Sequence, residues 1–133
     1  MGIEIDLLKS YPKTKRDISQ RGAEKTEEDR IIARNFGKEF FDGERRHGYG
    51  GFSYSPKFWK PVVPDFKDHY GLTKDSSILD IGCAKGFMLN DFIEEIPGIT
   101  ARGIDISNYA IAHCKESVKN LVDVGDVRCL PFE

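Results

Sequence analysis

The chain has 133 residues, 39% hydrophobic and 32% charged, enough for one globular domain with a modest core. A net charge of -2 argues against nucleic acid or an anionic membrane as partner. No apolar run approaches the roughly 20 residues of a transmembrane helix. Met1 to Ser10 lacks the basic start and long apolar stretch of a secretory signal. Cys83, Cys114 and Cys129 are scattered and form no C-x-x-C pair, so reduced thiols, a cytoplasmic setting and no metal site are expected.

Residues 1–30 carry seven Lys/Arg and seven Asp/Glu with few large apolar groups, which predicts a solvated or loosely docked arm. Thr26 followed by Asp29 has the pattern of a capped helix start, and a helix from Glu27 to Phe36 would carry Ile31, Ile32 and Phe36 on one side. Phe40 to Tyr70 holds most of the aromatics, with Gly43, Gly48, Gly50 and Gly51 in its first half and Pro56, Pro61 and Pro64 in its second. Two readings stay open: an irregular segment whose aromatics pack on the following domain, or a lid over a ligand cleft. His47, beside Arg45 and Arg46, reads as a surface residue rather than a catalytic base. A helix is expected within Pro61 to Tyr70, ending at Gly71. The chain thus divides into an N-terminal extension, 1–70, and a ligand-binding half, 71–133.

Ile78, Leu79 and Ile81 form a short apolar run suited to a strand buried on both faces. Gly82 and Gly86 bracket a turn where backbone must come close to something. A helical stripe of Phe87, Met88, Leu89, Phe92, Ile93 and Ile96 follows, closed by Gly98. Ile99 to Ile106 reads as a second strand. Ser107 caps a helix carrying Ala110, Ile111, Cys114 and Val118, and Leu121 to Val124 begins a third strand. Strand–helix–strand–helix–strand requires parallel pairing through right-handed crossovers. The fold class is therefore α/β: a partial doubly wound, Rossmann-like parallel sheet with a helical N-terminal extension, expected as part of a three-layer sandwich.

Each predicted strand carries an acid near its C-terminal end: Asp80, Asp105 and Asp126. In a parallel sheet these ends share one edge, so the three carboxylates are expected to line one crevice. Asp105 lies 19 residues after Gly86, the spacing of an acid that accepts hydrogen bonds from ribose hydroxyls. The turn reads D-x-G-x-x-x-G from Asp80 to Gly86. A dinucleotide fingerprint would place Gly where Asp80 stands, and a phosphate loop would follow Lys85 with Ser or Thr rather than Gly86. Asp80 would repel a pyrophosphate and attract a cation such as an α-ammonium. Ribose plus ammonium describes S-adenosylmethionine. The competing reading is that the acids merely cap turns. Cys83 reads as loop packing rather than a nucleophile, since no base is paired with it.

Ile78-Leu-Asp-Ile-Gly-Cys-Ala-Lys-Gly-Phe87, Gly103-Ile-Asp-Ile-Ser107 and Gly125-Asp-Val-Arg-Cys-Leu-Pro-Phe132 resemble successive signatures of class I S-adenosylmethionine-dependent methyltransferases. The resemblance covers about residues 70–133. It implies that Asp80 helps hold the methionine end of S-adenosylmethionine, that Gly82 and Gly86 let backbone approach it, and that Cys83 and Ala84 belong to the same loop. Asp105 would bind the ribose, Ile106 would lie against adenine, and Asp126 with Val127 would meet the adenine edge. Phe40 to Trp59 resembles, less specifically, the leader of some bacterial small-molecule methyltransferases.

The resemblance implies a seven-stranded sheet of which this stretch supplies the first three strands, the half that usually lines the acceptor site being absent from it. No catalytic base is assigned. The expected activity is methyl transfer to a small molecule, such as a sugar or other hydroxylated metabolite, with no nucleic-acid or membrane partner. The alternatives are a non-catalytic binding module that keeps the cofactor fold, and a nicotinamide-dependent oxidoreductase, which Asp80 disfavours. An unpaired first strand predicts self-association through its edge.

Overall fold

A computed structural model describes residues 2–132, so Met1 and Glu133, the outer ends of the two predicted segments, lie outside the described residues. Five helices precede the sheet: α1 (Ile18–Ala23), α2 (Glu27–Arg34), α3 (Lys38–Asp42), α4 (Pro56–Trp59) and α5 (Val63–Tyr70). There follow β1 (Ser77–Ile81), α6 (Phe87–Glu95), β2 (Thr100–Asp105), α7 (Asn108–Ala112), a 3-10 turn at Glu116–Val118 and β3 (Val122–Val124). None of these helices is long and apolar enough to cross a membrane.

The sheet is parallel in the order β1-β2-β3, with Ser77 opposite Thr100, Ile81 opposite Ile104, and Gly103 opposite Val122. This is the predicted α/β arrangement. Alternation along the strands sends Ile78, Ala101 and Val122 to one face, where they meet Leu89 of α6, Ile111 of α7 and Val118 of the 3-10 turn. A second cluster joins Val63 and Phe66 of α5 to Phe92 and Ile96 of α6. Gly103 brings α6 close: a Cβ there would stand 2.6 Å from Leu89 Cδ1 and 2.9 Å from Cys83 Cβ. Leu89 is fully buried, so Leu89→Ala would cost about 2–5 kcal/mol.

The other face is open, which corrects two expectations. Among the described residues the fold has two layers rather than three, because right-handed crossovers running in one direction put α6 and α7 on the same side. β1 is also not covered on both faces: Leu79 is 39% and Ile81 48% exposed, and β1 lies at the sheet edge.

Local chemistry explains the element ends. Thr26 and Asp29 form the predicted capping box on α2, and Ser107 Oγ accepts from Ala110 N at the start of α7. The helix ending in α5 starts at Val63, with Pro64 in its first turn, rather than at Pro61. The helix carrying Ala110 does not run on to Val118. It stops at Ala112, and the Lys115 N–H donates to Lys85 O at 2.9 Å, so Cys114 and Val118 reach the core through irregular backbone. The N-terminal arm touches the rest of the chain: Tyr11 packs on Phe58 and Trp59, and Ser10 Oγ donates to Asp65 Oδ2 at 2.6 Å. His47 is half-buried, not a free surface residue. Its Nε2 lies 3.2 Å from Asp29 Oδ1, and Arg46 Nε donates to the same oxygen at 2.8 Å, holding the Asp29 carboxyl well below the usual range.

Candidate functional site

The site grows from the turn between β1 and α6. The N–H groups of Gly82 and Cys83 both donate to Ile104 O, at 2.8 and 3.0 Å, folding the chain over the C-terminal end of β2. The turn takes left-handed backbone at Gly82 (φ 81°), Ala84 (φ 50°) and Gly86 (φ 75°). The two glycines then differ. A Cβ on Gly82 would meet nothing within 4 Å, whereas one on Gly86 would stand 2.5 Å from Val118 Cγ2. Gly82 faces open space. Gly86 brings its backbone against Val118 inside the fold, so the close approach expected of the turn is made there to another part of the chain.

Two cavities meet at Gly82. One, of about 360 Å³, is lined by Gly82, Asp105, Ile106, Asp126 and Val127 among others. The second, of about 240 Å³, is lined by Asp80, Gly82, Cys83 and Ala84, with Tyr49, Phe52, Trp59 and Phe87 opposite. The predicted residues are thus brought together, except Gly86, but not in one crevice. Asp105 and Asp126 line the first cavity and Asp80 the second, because Gly82 stands between them.

The three acids have different surroundings. No described residue donates a hydrogen bond to Asp80, and burial, helped by the Asp105 charge, pushes its carboxyl up to about 6. Asp105 is buried and accepts from two backbone N–H groups, Ala84 N on Oδ2 and Ser107 N on Oδ1, each at 2.8 Å. Each of its oxygens keeps a second lone pair for a ligand hydroxyl. Asp126 is gripped by Arg128, with Nε at 3.0 Å from Oδ1 and Nη2 at 2.6 Å from Oδ2, and is held down to about 2. Burial, then the Asp80 and Asp105 charges, pushes the Cys83 thiol up to about 12, the opposite of an activated nucleophile. Ile106 and Val127 are 54% and 56% exposed, apolar side chains left uncovered at the mouth of the first cavity.

One cluster was not foreseen in the sequence. Lys85 is buried and donates to Asp42 Oδ2 at 2.7 Å and to Phe52 O at 2.8 Å. Tyr109 OH donates to the same Asp42 oxygen at 2.7 Å, and Phe52 N donates to Asp42 Oδ1 at 2.9 Å. Burial would raise the Asp42 carboxyl, but these donors outweigh it and hold it at about 2. This bolt fixes Phe52 over the glycine turn, its ring stacked on Phe87 at 4.8 Å and tilted against Tyr49 at 4.4 Å. The available signal was a lysine inside an otherwise apolar turn, where a charge must find a partner.

Residues 64–127 match the family model described as methionine biosynthesis protein MetW. That span runs from the first turn of α5 past β3, a little under half of the chain. This half is similar to that family, a methyltransferase-like Rossmann segment. Among solved structures, one titled "Crystal structure of MccD protein" is 32% identical with a TM-score of 0.47. The similarity covers 53% of this chain and 34% of that one, so the chain spans about a third of that protein's length. No curated protein matches the chain.

Proposed function

We propose that the chain binds S-adenosylmethionine across the two cavities and serves methyl transfer to a small-molecule acceptor. The observation that carries this reading is the pairing at Gly82: an unpartnered carboxylate, Asp80, on one side, and an acid with free lone pairs beside exposed apolar side chains on the other. The residues fit such a ligand. Asp80 would hold the ammonium, Asp105 the ribose hydroxyls, and Ile106 and Val127 the faces of the adenine ring. Gly82 leaves the space that a side chain would fill. Asp126 would meet the adenine amino group only in competition with Arg128. When bound, this group supplies a methyl on a sulfonium: the acceptor's lone pair forms the new bond as the carbon–sulfur bond breaks and its electron pair stays on sulfur.

What the chain itself contributes is positioning. Tyr49, Phe52 and Trp59 line the cavity that contains Asp80, with Phe52 held there by Asp42 and Lys85, so a reacting group there would be flanked by aromatic rings. The segment from Gly43 to Tyr54 is the lid of this proposal, and its amide exchange is expected to slow when S-adenosylhomocysteine is added. Calorimetric titration of S-adenosylhomocysteine tests the main reading. Asp105→Ala removes the charged acceptor for the hydroxyls and should weaken binding by about 1.5–3 kcal/mol. Equal affinities for wild type and variant would overturn it. A non-catalytic module that keeps the fold would bind equally well but move no radiolabelled methyl group to any acceptor.

A further inference from the structure

A third cavity, of about 230 Å³, adjoins the aromatic side of the Asp80 cavity. Its walls include Tyr11, Phe58 and Trp59, it carries Arg16 and Arg45 at its margin, and it shares Tyr49, Phe52, Trp59 and Phe87 with the cavity at Asp80. Those four shared rings border both cavities.

The charges there are uncompensated. Among the described residues Arg34, Arg46 and Arg128 are ion-paired with carboxylates, whereas Arg16 and Arg45, like Arg21, Arg30 and Arg102, are not; what sets Arg16 and Arg45 apart is that both line one aromatic-walled cavity. Arg45 is oriented by donating Nη1 to Gly48 O and Tyr49 O. Burial, and then the nearby charges of Arg21 and Arg16, make its guanidinium easier to deprotonate than an ordinary arginine. The nearest acid in sequence to Arg16, Asp17, is engaged in capping α1 through Gln20 N. A protein that spends apolar walls and two unpaired guanidinium groups on one small cavity is shaped for a ring that carries negative charge. Arginine binds carboxylate and phosphate through paired N–H groups, and aromatic walls stack on planar ligands.

We propose that this cavity binds a planar small molecule bearing a carboxylate or a phosphate, held by Arg16 and Arg45 and stacked among Tyr11, Trp59 and Phe58. Its assignment as the methyl acceptor rests on the donor reading above. This narrows the acceptor from hydroxylated metabolites in general to anionic ring compounds, and it disfavours neutral sugars.

The test uses the full chain and its single tryptophan, Trp59, whose emission reports on the cavity. Benzoate, phenyl phosphate and neutral benzamide are titrated with and without saturating S-adenosylhomocysteine. At least one anion should bind tenfold or more tightly than benzamide, and the preferred arm identifies carboxylate or phosphate. Raising sodium chloride should weaken the anion and leave benzamide unchanged, a readout that needs no variant. Arg16→Gln should reduce the preference about tenfold with unchanged affinity for S-adenosylhomocysteine, and Arg45→Gln should reduce the preference about tenfold as well. Arg16 makes no side-chain hydrogen bond or ion pair among the described residues, so its variant should fold as wild type does. Benzamide binding as tightly as both anions, or a preference surviving both substitutions, would overturn the proposal while leaving the donor reading intact. Arginine-dependent anion binding without any binding of S-adenosylhomocysteine would support the anion site and overturn the donor reading instead.

Discussion

Gly82 and Gly86 are four positions apart in one turn, and both have left-handed backbone, yet their surroundings are opposite. Around Gly82 the chain leaves space, an unpartnered carboxylate and bare apolar side chains. Around Gly86 everything is filled: Val118 occupies the place a side chain would take, and the neighbouring Lys85 is buried with two oxygen and two ring partners around it. Vacancy and unsatisfied polarity mark where a ligand would sit. Close packing and satisfied charge mark where the fold is held.

The largest test breaks the filled side. Asp42→Leu leaves the Lys85 ammonium buried without its carboxylate, which should cost about 3–5 kcal/mol in denaturant unfolding. Lys85→Met, which removes the charge as well, should cost less. If the two substitutions are equally damaging, the bolt is packing rather than charge. The next test sets the glycines against each other. Gly82→Val should reduce affinity for S-adenosylhomocysteine more than about 100-fold, roughly 2.7 kcal/mol, by filling the open space. Gly86→Ala should instead lower stability, by about 1–3 kcal/mol for overpacking against Val118. Retained binding in the Gly82 variant would put the ligand elsewhere.

Asp80 sharpens the contrast through pH. Its folded value, about 6, lies above the reference value of 3.8, so the unliganded native state holds the proton more tightly than the unfolded chain does. Its contribution to stability is fully present below pH 3.8 and is lost as pH rises through 6. Asp80→Asn should therefore flatten that part of the stability profile and leave the empty protein more stable at pH 7. A cationic ligand reverses the preference, because it favours the ionised acid. Affinity for S-adenosylhomocysteine should then fall as pH drops below 6, and Asp80→Asn should remove the dependence. A pH-independent affinity in the wild type would mean that Asp80 does not meet the ammonium. The smallest expected effect lies at the open face. Leu79 and Ile81, on the edge strand, should support weak self-association visible by sedimentation at high concentration, and Leu79→Lys should abolish it with under about 1 kcal/mol change in stability.

What could be read from the sequence was local. β1, α6, β2 and β3 announced themselves by apolar periodicity and glycine punctuation, and Ser107 and the Thr26–Asp29 pair by capping chemistry that acts within one turn. The candidate ligand residues followed from strand ends. What escaped was either short or distant. α1, α3 and α4 have only four to six residues each, too few to display a helical period. The Asp42–Lys85 and Asp29–His47 pairs join side chains that no spacing rule connects. The separation of the acids into two cavities depends on which way each strand end faces around Gly82, a property of the folded sheet rather than of the motif.

The bolt also bears on how this molecule could be dissected. The family-matched span begins at residue 64, but the carboxylate that neutralises Lys85 is Asp42, and the carbonyl it also uses belongs to Phe52. A recombinant fragment trimmed to the matched span would strand an ammonium group inside the glycine turn. Grafting this turn into another scaffold would therefore mean transplanting residues 42–52 with it, since the two stretches form one unit despite their distance along the chain.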